Sequence, residues 1–384
     1  MALFLSNADQ EKSITPAEAI EAFENGVRQL GRGDALRRPR IDCLMPTRRE
    51  GEYFSFSSME GTIREPGYHA LRIKPDIVSW PVLDGIWRRV TYNVRPGLYG
   101  GLVFLFSVDN AQLLAIMNDG FVQHLRVAAS AALGIRYLSN PGSAVMGIIG
   151  TGGMARSFPL AASVVRPIEV VKVYSPNPDH VRAYCRDMEP LLSCRIQAMG
   201  SAEEAAREVD ILSLCTTSMQ PVVGPESIRP GVHLTNVTPE ELSPEVCSMI
   251  EVGGVLVPRT PVDISGFVDD DFGFLSDVMS YAAGQPEERR KIPVGARSFN
   301  RYPNAEIVAC CDWNTGRTYE RRRAGEITTL VNASNGIVEG NGGASSAIQG
   351  IQFATIAGRI YEGARRLGLG TELPSEMFLQ DLPT

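Results

Sequence analysis

The most constraining feature of this sequence is a glycine-rich segment near its middle, Ala144-Val-Met-Gly-Ile-Ile-Gly-Thr-Gly-Gly-Met-Ala155. The pattern is typical of a short buried strand that runs into a tight turn and then into a helix. Gly150 would permit the turn, and Gly152 would let the backbone approach a phosphate without an intervening Cβ. The free N–H groups of a helix beginning near Gly153 would face that negative charge. The segment therefore predicts a binding site for the pyrophosphate of a dinucleotide.

The residues after this turn support the prediction. An apolar helix over about 154–165 and a second strand over 169–175 follow at the spacing of a βαβ unit. A further apolar strand ends at Cys215, and hydroxyl residues come directly after it, where cofactors line the crevice of such sheets. The predicted cofactor contacts from the turn and from this later loop are Gly150, Thr151, Gly152, Gly153, Met154, Thr216, Thr217 and Ser218.

The end of the second strand bears on which nucleotide is bound. A fold that prefers NAD usually places Asp or Glu there, to bind the ribose 2′-hydroxyl. Here the sequence is Tyr174-Ser-Pro-Asn177, and Asp179 is the first acid. Ser175 and Asn177 are instead predicted to donate hydrogen bonds to a 2′-phosphate, with Arg182 as a possible counter-charge. NADP is therefore favoured as the cofactor, and NAD remains possible.

The predicted elements divide the chain into two parts. From residue 144 short apolar strands alternate with helices, which indicates an α/β, Rossmann-type doubly wound parallel sheet. Before it lie a helix opened by the capping box Thr15-Pro-Ala-Glu18, several β-like segments and an alanine-rich helix over about 121–138. The predicted strands are 40–44, 52–56, 69–73, 89–94, 101–116, 144–149, 170–174, 195–198, 211–215, 233–237 and 255–257. Between 262 and 345 we expect solvated charge runs and a glycine loop at 336–343, followed by a last helix over about 346–367.

Composition excludes several classes of function. The net charge of −7 and the pI of about 5.4 argue against a nucleic-acid-binding surface. No apolar run approaches the ~20 residues of a membrane span, and we expect a cytoplasmic protein without a membrane partner. The seven cysteines form no CxxC and the four histidines have no paired spacing, so no metal site is predicted.

Several segments together resemble the ornithine cyclodeaminase/μ-crystallin family. The matching segments, which run in family order from about residue 36 to 370, are 108–120, His124-Leu-Arg-Val-Ala-Ala-Ser-Ala-Ala132, the turn 150–155, Ala347-Ile-Gln-Gly-Ile-Gln-Phe-Ala354 and Arg359-Ile-Tyr-Glu362. The resemblance implies a β-rich substrate-binding and dimerisation domain over 1–142, completed by the C-terminal helix in 345–384. It implies an NAD(P)-binding Rossmann domain over 143–344 and assembly as a homodimer.

The resemblance also implies which residues carry the chemistry. It brings Arg40, Arg72 and Arg126 to one pocket, where guanidinium groups are suited to clamp a substrate carboxylate. Arg72 occupies the register of the family's catalytic lysine, and Lys74 follows two residues later on the same strand face. Lys74 is predicted to be a proton donor whose pKa a cationic neighbour lowers. Glu240 stands nearest to the family's catalytic aspartate, in a shorter loop.

These residues favour an NAD(P)H-dependent reductase of imino acids. Such an enzyme is of the imine or ketimine reductase type or of the amino-acid dehydrogenase type. Reduction of a preformed imine needs only a carboxylate clamp, a hydride and a proton. The alternatives are an ornithine-type cyclodeaminase, which forms a cyclic amino acid with release of ammonia, and a non-catalytic NADPH-dependent small-molecule binding protein. The altered loop at Glu240 disfavours cyclodeamination, since that loop carries the family's aspartate.

Overall fold

The computed structural model describes residues 1–38, 40–257, 274–275, 279–293, 302–331 and 348–382. The helices in this part of the chain are α1 Asn7–Ser13, α2 Pro16–Arg32, α3 Asp119–Leu138, α4 Gly153–Val165, α5 Pro178–Met188, α6 Ala202–Ala206, α7 Pro244–Met249, α8 Pro286–Arg290 and α9 Ile348–Leu367. The strands before α3 are β1 Ala2–Leu5, β2 Ala35–Arg37, β3 Ile41–Pro46, β4 Tyr53–Ile63, β5 Tyr68–Ser79, β6 Val82–Leu83, β7 Ile86–Trp87, β8 Val90–Tyr92, β9 Leu102–Ser107 and β10 Leu113–Asn118. The later strands are β11 Val145–Ile149, β12 Val170–Tyr174, β13 Arg195–Ala198, β14 Ile211–Leu214, β15 His233–Asn236, β16 Val252–Val255, β17 Phe274–Leu275, β18 Met279–Ala282, β19 Glu306–Ala309, β20 Thr328–Leu330 and β21 Thr371–Leu373.

The second half of the chain forms the predicted doubly wound sheet. Its parallel strands follow the order β13-β12-β11-β14-β15-β20-β16-β19, and β11 lies between β12 and β14. Short apolar strands alternate with helices along this segment, and the central strands β11, β14 and β15 are largely buried. The predicted Rossmann-type fold is confirmed. Two strands of this sheet, β19 and β20, come from the region 262–345, in which the sequence predicted no strands.

The first half forms a mixed, largely antiparallel sheet. Its order is β17-β18-β3-β4-β5-β9-β10-β1-β21, with β2 against β4 and β8 against β5. Helix α9 returns from the C-terminus and packs so closely on β4 that the backbones of Gly350 and Gly61 meet. This contact confirms the predicted completion of the β-rich part by the C-terminal helix. Strands β17 and β18 pair in this sheet, although they lie within 143–344, the range predicted for the Rossmann domain.

Some element bounds differ from the predictions for local reasons. The strand predicted over 101–116 is two strands, β9 and β10, because a turn at 108–112 reverses the chain. In that turn Asn110 accepts a hydrogen bond from the backbone of Gln112, and Ala111 has φ +60°. The strand predicted at 255–257 is β16, which begins three residues earlier. The charge run 269–271 and the glycine loop 336–343 lie outside the described residues.

The capping predictions agree with the structure. Thr15 and Glu18 form both hydrogen bonds of a capping box, and α2 ends at Gly33, which has φ +82°. Among the helices that are described, none combines the length and apolar character that crossing a bilayer requires.

Candidate active site

The glycine turn has the geometry that a dinucleotide site requires. Gly150 has φ +108°, and a Cβ there would collide with the carbonyl oxygen of Cys215. A Cβ at Gly152 would meet nothing within 4 Å, so the backbone there is open to a ligand. Helix α4 begins at Gly153, with its first N–H groups at the turn. The residues present therefore fit a bound nicotinamide nucleotide, with the pyrophosphate at the N-terminus of α4.

The side chains at the end of β12 are partly engaged with one another. Asn177 caps α5, because its side-chain oxygen Oδ1 accepts a hydrogen bond from the backbone N–H of Asp179 at 2.9 Å. Its amide nitrogen lies 3.4 Å from the His180 ring, and Arg182 forms an ion pair with Asp179. Arg182 is thus occupied by an acid on its own helix, which weakens its predicted role as counter-charge. Ser175 is half-buried directly after the strand.

The hydroxyl residues after β14 chiefly stabilise their own turn. The Thr216 hydroxyl accepts a hydrogen bond from the backbone of Ser218 at 3.1 Å, and the Ser218 hydroxyl donates to the carbonyl of Gln220 at 2.7 Å. Thr217 is exposed, and its carbonyl accepts a hydrogen bond from the backbone of Arg89. The loop lies at the carboxyl end of the sheet as predicted, but two of its three hydroxyls already have partners.

A buried glutamate that the sequence analysis missed joins the loops after β14 and β15. Glu241 is fully buried, and its carboxylate accepts hydrogen bonds from three backbone N–H groups: Thr216 at 2.5 Å, Val237 at 2.8 Å and Thr238 at 2.8 Å. Burial raises the pKa of Glu241 to about 7, and the backbone hydrogen bonds oppose that shift. The spacing Thr238-Pro-Glu-Glu241 is a capping-box pattern, and it was the signal available in the sequence.

Three of the predicted cations, Arg72, Lys74 and Arg40, are each bonded to an aspartate. Arg72 donates two hydrogen bonds to Asp119, at 2.9 and 2.6 Å. Lys74 lies 2.6 Å from Asp76, and Arg40 lies 2.7 Å from Asp42. The acids were not predicted, although Asp42 and Asp76 each stand two residues after the cation they bind and therefore on the same strand face.

Arg72 and Lys74 share one sheet face, as predicted, but their surroundings differ. Arg72 is only 2% exposed, it also contacts Ser57, and its guanidinium lies over the Phe353 ring. These contacts favour a supporting role for Arg72 over contact with substrate. The Lys74 side chain is 22% exposed. Burial lowers the pKa of Lys74 and Arg72 lowers it further, whereas Asp76 raises it.

Arg126 lies at the buried end of this group of charges. Its guanidinium is fully buried and donates to the amide oxygens of Gln352, at 2.6 Å, and Gln123, at 3.0 and 3.2 Å. These hydrogen bonds to two side-chain amides fix the orientation of the guanidinium. Burial lowers the pKa of Arg126 well below its usual value, and the charges of Arg72 and Arg40 add to this effect.

His124 connects the group of charges with the dinucleotide turn. Its half-buried ring packs directly against Gly153, at the position that a Cβ would fill. Burial lowers the pKa of His124, and the nearby charges of Asp119, Arg126 and Lys74 also act on it. The ring is therefore neutral at pH 7. His124 thus lies between the dinucleotide turn and the buried cations, and this region is the candidate active-site cleft. The residues around His124 in the sequence do not show this proximity.

Comparison with known proteins agrees with this architecture. The family model described as "Ornithine cyclodeaminase/mu-crystallin family" matches residues 97–244. The Δ1-pyrroline-2-carboxylate reductase of Paracoccus denitrificans is 30% identical over 234 residues, which are 60% of this chain and 66% of the relative. The ketimine reductase mu-crystallin of Rattus norvegicus is 25% identical over 135 residues, 35% of this chain and 42% of the relative. The chain thus matches less than two thirds of the length of either relative.

A solved structure shows the same fold over nearly the whole chain. The Δ1-pyrroline-2-carboxylate reductase of Thermococcus litoralis, solved with NADH and L-proline, superimposes with a TM-score of 0.66 at 20% identity. The superposition covers 97% of this chain and 100% of that one. Together with the family match over residues 97–244, which contains the Arg126 helix and the glycine turn, these comparisons confirm the resemblance predicted from the motifs. Over residues 97–244 the chain is similar to the ornithine cyclodeaminase/mu-crystallin family.

Proposed function

We propose that this protein is an NAD(P)H-dependent reductase of imino acids, an oxidoreductase that acts on C=N bonds. The observation that carries the proposal is the position of His124, which touches the dinucleotide turn and lies within electrostatic range of Lys74 and Arg126. A nicotinamide nucleotide held at the turn supplies the hydride, and the cleft beside it offers cations for a carboxylate. The relatives named as pyrroline-2-carboxylate and ketimine reductases support this proposal.

Each step left to the protein has a candidate side chain. Arg126 binds and orients the substrate carboxylate, since its planar guanidinium, oriented by Gln352 and Gln123, offers paired N–H donors that match a carboxylate. Lys74 donates a proton to the nitrogen, because a lowered pKa makes its ammonium group a stronger acid. Glu240, which is half-buried in the loop after β15, is the carboxylate that we propose for contact with the substrate nitrogen. Arg40 completes the polar lining of the pocket.

A turnover assay tests the proposal directly. The protein is incubated with NADPH or NADH and a panel of 2-oxo acids, with and without ammonia or methylamine, while the absorbance of the reduced nucleotide is followed. Consumption that requires both the oxo acid and the amine is expected. Conversion of ornithine to proline and ammonia, faster than any imine reduction, would instead establish a cyclodeaminase. Stable nucleotide binding without turnover of any substrate would favour the non-catalytic binding protein.

The replacement Arg126→Ala is expected to lower kcat/KM for an imino acid about ten- to a hundredfold, which corresponds to the ~1.5–3 kcal/mol of one charged contact. Affinity for the nucleotide should stay nearly unchanged, because the glycine turn lies on other elements. Steady-state kinetics and a fluorescence titration with NADPH measure the two quantities. A parallel loss of both would show that Arg126 supports the fold and does not bind substrate.

NADPH is expected to be preferred over NADH. The end of β12 has no acid to repel a 2′-phosphate, and we propose that Ser175 and the amide group of Asn177, which follow the strand, donate hydrogen bonds to it. The occupied Arg182 contributes less than the sequence suggested. The measurement is kcat/KM with each nucleotide at a fixed imine concentration. A higher value with NADH would refute the preference.

We expect the protein to be a homodimer or a multiple of one. On the first sheet the cross-strand neighbours Met45 and Phe54 expose 56% and 41% of their surface, and Leu36 on β2 exposes 72%. Large apolar side chains exposed on a sheet favour association with another apolar face. A two-fold dimer would cover both copies at once. Light scattering at micromolar concentration checks this, and a monomer mass would refute it.

A further inference from the structure

Arg89 is held at the cleft by backbone contacts between the two halves of the molecule. Its N–H donates to the carbonyl of Thr217 at 3.1 Å, and the N–H of Met219 donates to the carbonyl of Trp87 at 2.9 Å. Arg88 forms an antiparallel bridge with Ser218 between these bonds. The extended segment 87–89, which belongs to the first half, is thereby fixed against the loop after β14. The position of Arg89 follows from tertiary structure alone.

The Arg89 side chain is exposed, and it lies among the charges that line the candidate active site. Arg40, Asp42 and Asp76 on the first sheet and Glu240 in the loop after β15 all act on it electrostatically. Asp42 and Asp76 are already paired with Arg40 and Lys74. Within the described ranges, the guanidinium of Arg89 has no hydrogen bond or ion pair of its own. Among the residues that the structure describes, Arg89 is therefore a positive charge without a bonded acid.

Arg89 lies at the other end of the cleft from Arg126. One face of β5 carries Arg72, Lys74 and Asp76 in succession. The step of four residues from Arg72 to Asp76 spans roughly 13 Å along the strand. Arg89 comes directly before β8, which pairs with the last residues of β5, so it lies beyond Asp76 on this line. Arg40 acts on Arg72, Arg126 and Arg89, which places it between the two ends. One carboxylate is too small to contact both ends.

We propose that Arg89 binds a second carboxylate of the substrate, so that the enzyme is specific for imino acids with an acidic side chain. The inference rests on the proposed reductase function and deepens it. The planar guanidinium offers paired N–H donors that match a carboxylate in geometry and charge. An apolar side chain would leave the guanidinium without a partner, and a cationic one would be repelled by Arg89 and Arg40. Arg126 holds the carboxylate next to the imine, and Arg89 holds the distal one.

Binding of unreactive anions tests this independently of turnover. Calorimetry on the protein with bound NADP⁺ compares acids of equal length: succinate with butyrate, glutarate with valerate, and adipate with hexanoate. At least one diacid is expected to bind about ten- to a hundredfold more tightly than its monoacid. Arg89→Gln should remove this preference and change the affinity of the monoacid less than twofold. Equal affinities in the wild type, or an equal loss for both acids in the variant, would overturn the inference.

Arg88→Gln is the matched control. It removes the same charge from the adjacent residue, whose side chain points to the other side of the extended segment. Preference for the diacid should survive this change; if both variants lose it equally, the preference reflects net charge and not a site at Arg89. Arg89→Lys keeps the positive charge but lacks the paired N–H donors of a guanidinium, so it should retain only part of the preference for the diacid. If Arg89→Gln does not fold, Arg89→Lys replaces it as the test variant. A preference for the diacid that is as large in Arg89→Lys as in the wild type would refute recognition by the guanidinium.

Turnover separates the failure of this inference from failure of the proposed function. The substrates are 2-oxoglutarate and 2-oxovalerate, each with methylamine. Reduction of both imines with equal kcat/KM would refute selection by Arg89 and leave the reductase function intact. No reduction of any imine would refute the reductase function, and the binding comparison would still decide whether Arg89 takes a second carboxylate.

Discussion

We expect the replacement Glu241→Ala to lower the free energy of unfolding by about 3 kcal/mol or more, since each of three buried donors that lose their partner costs at least ~1 kcal/mol. Three backbone N–H groups, of Thr216, Val237 and Thr238, lose their acceptor in this variant. The loops after β14 and β15 are no longer joined, so nucleotide affinity should fall as well. Urea unfolding and a fluorescence titration with NADPH measure the two effects.

The adjacent acid supplies the control for this prediction. Glu240 is half-buried and projects from the same turn, and Glu240→Ala should change the free energy of unfolding by less than about 0.5 kcal/mol. A Glu241→Ala protein as stable as the wild type would show that water replaces the carboxylate at all three N–H groups. Equal destabilisation by both replacements would assign the effect to the turn as a whole.

The free energy of unfolding should depend on pH through the ionisation of Glu241. Its pKa of about 7 in the folded protein lies above the ordinary value of 4.5, so folding takes up a proton between these values. The stabilising contribution is complete below pH 4.5 and is lost as the pH rises through 7. Cys215, the ionisable neighbour, stays a neutral thiol there because burial raises its pKa. The stability difference between wild type and Glu241→Gln should therefore decline from pH 5 to pH 8; a constant difference would contradict this.

The second large effect is expected at the glycine turn. Gly150→Ala places a Cβ against the carbonyl of Cys215, in a backbone conformation with φ +108°. A strained conformation of this kind costs roughly 1–3 kcal/mol, and the collision adds to it. The turn must move away from the end of β14, so both the Tm and the affinity for NADPH should fall, the affinity at least tenfold. Thermal unfolding and fluorescence titration measure these quantities.

Gly152→Ala separates folding from binding at the same turn. Its φ of −73° suits any residue, and its Cβ would point into open space. The Tm should stay within about 1 °C of the wild type, because nothing in the protein is displaced. Affinity for NADPH should nevertheless fall, since the added methyl occupies the space into which a pyrophosphate would fit. Unchanged affinity in Gly152→Ala would place the nucleotide elsewhere.

The sequence by itself determined the elements whose cause is local. The turn at Gly150, the capping box at Thr15 and the alternation of apolar strands with helices each depend on residues a few positions apart, and each was predicted correctly. The strand predicted over 101–116 was wrong even at this level, because the turn that divides it, Val108-Asp-Asn-Ala-Gln112, contains neither glycine nor proline.

Tertiary structure decided which charges meet. Asp119 reaches Arg72 across 47 positions of sequence, and Glu241 reaches Thr216 across 25. Nothing in the sequence around Arg89 shows that backbone bonds from the Rossmann half fix it beside the cations of the first sheet. The physical reason is that hydrophobic patterning specifies which face of an element is buried, whereas an ion pair depends on the register and packing of elements that are distant in the chain.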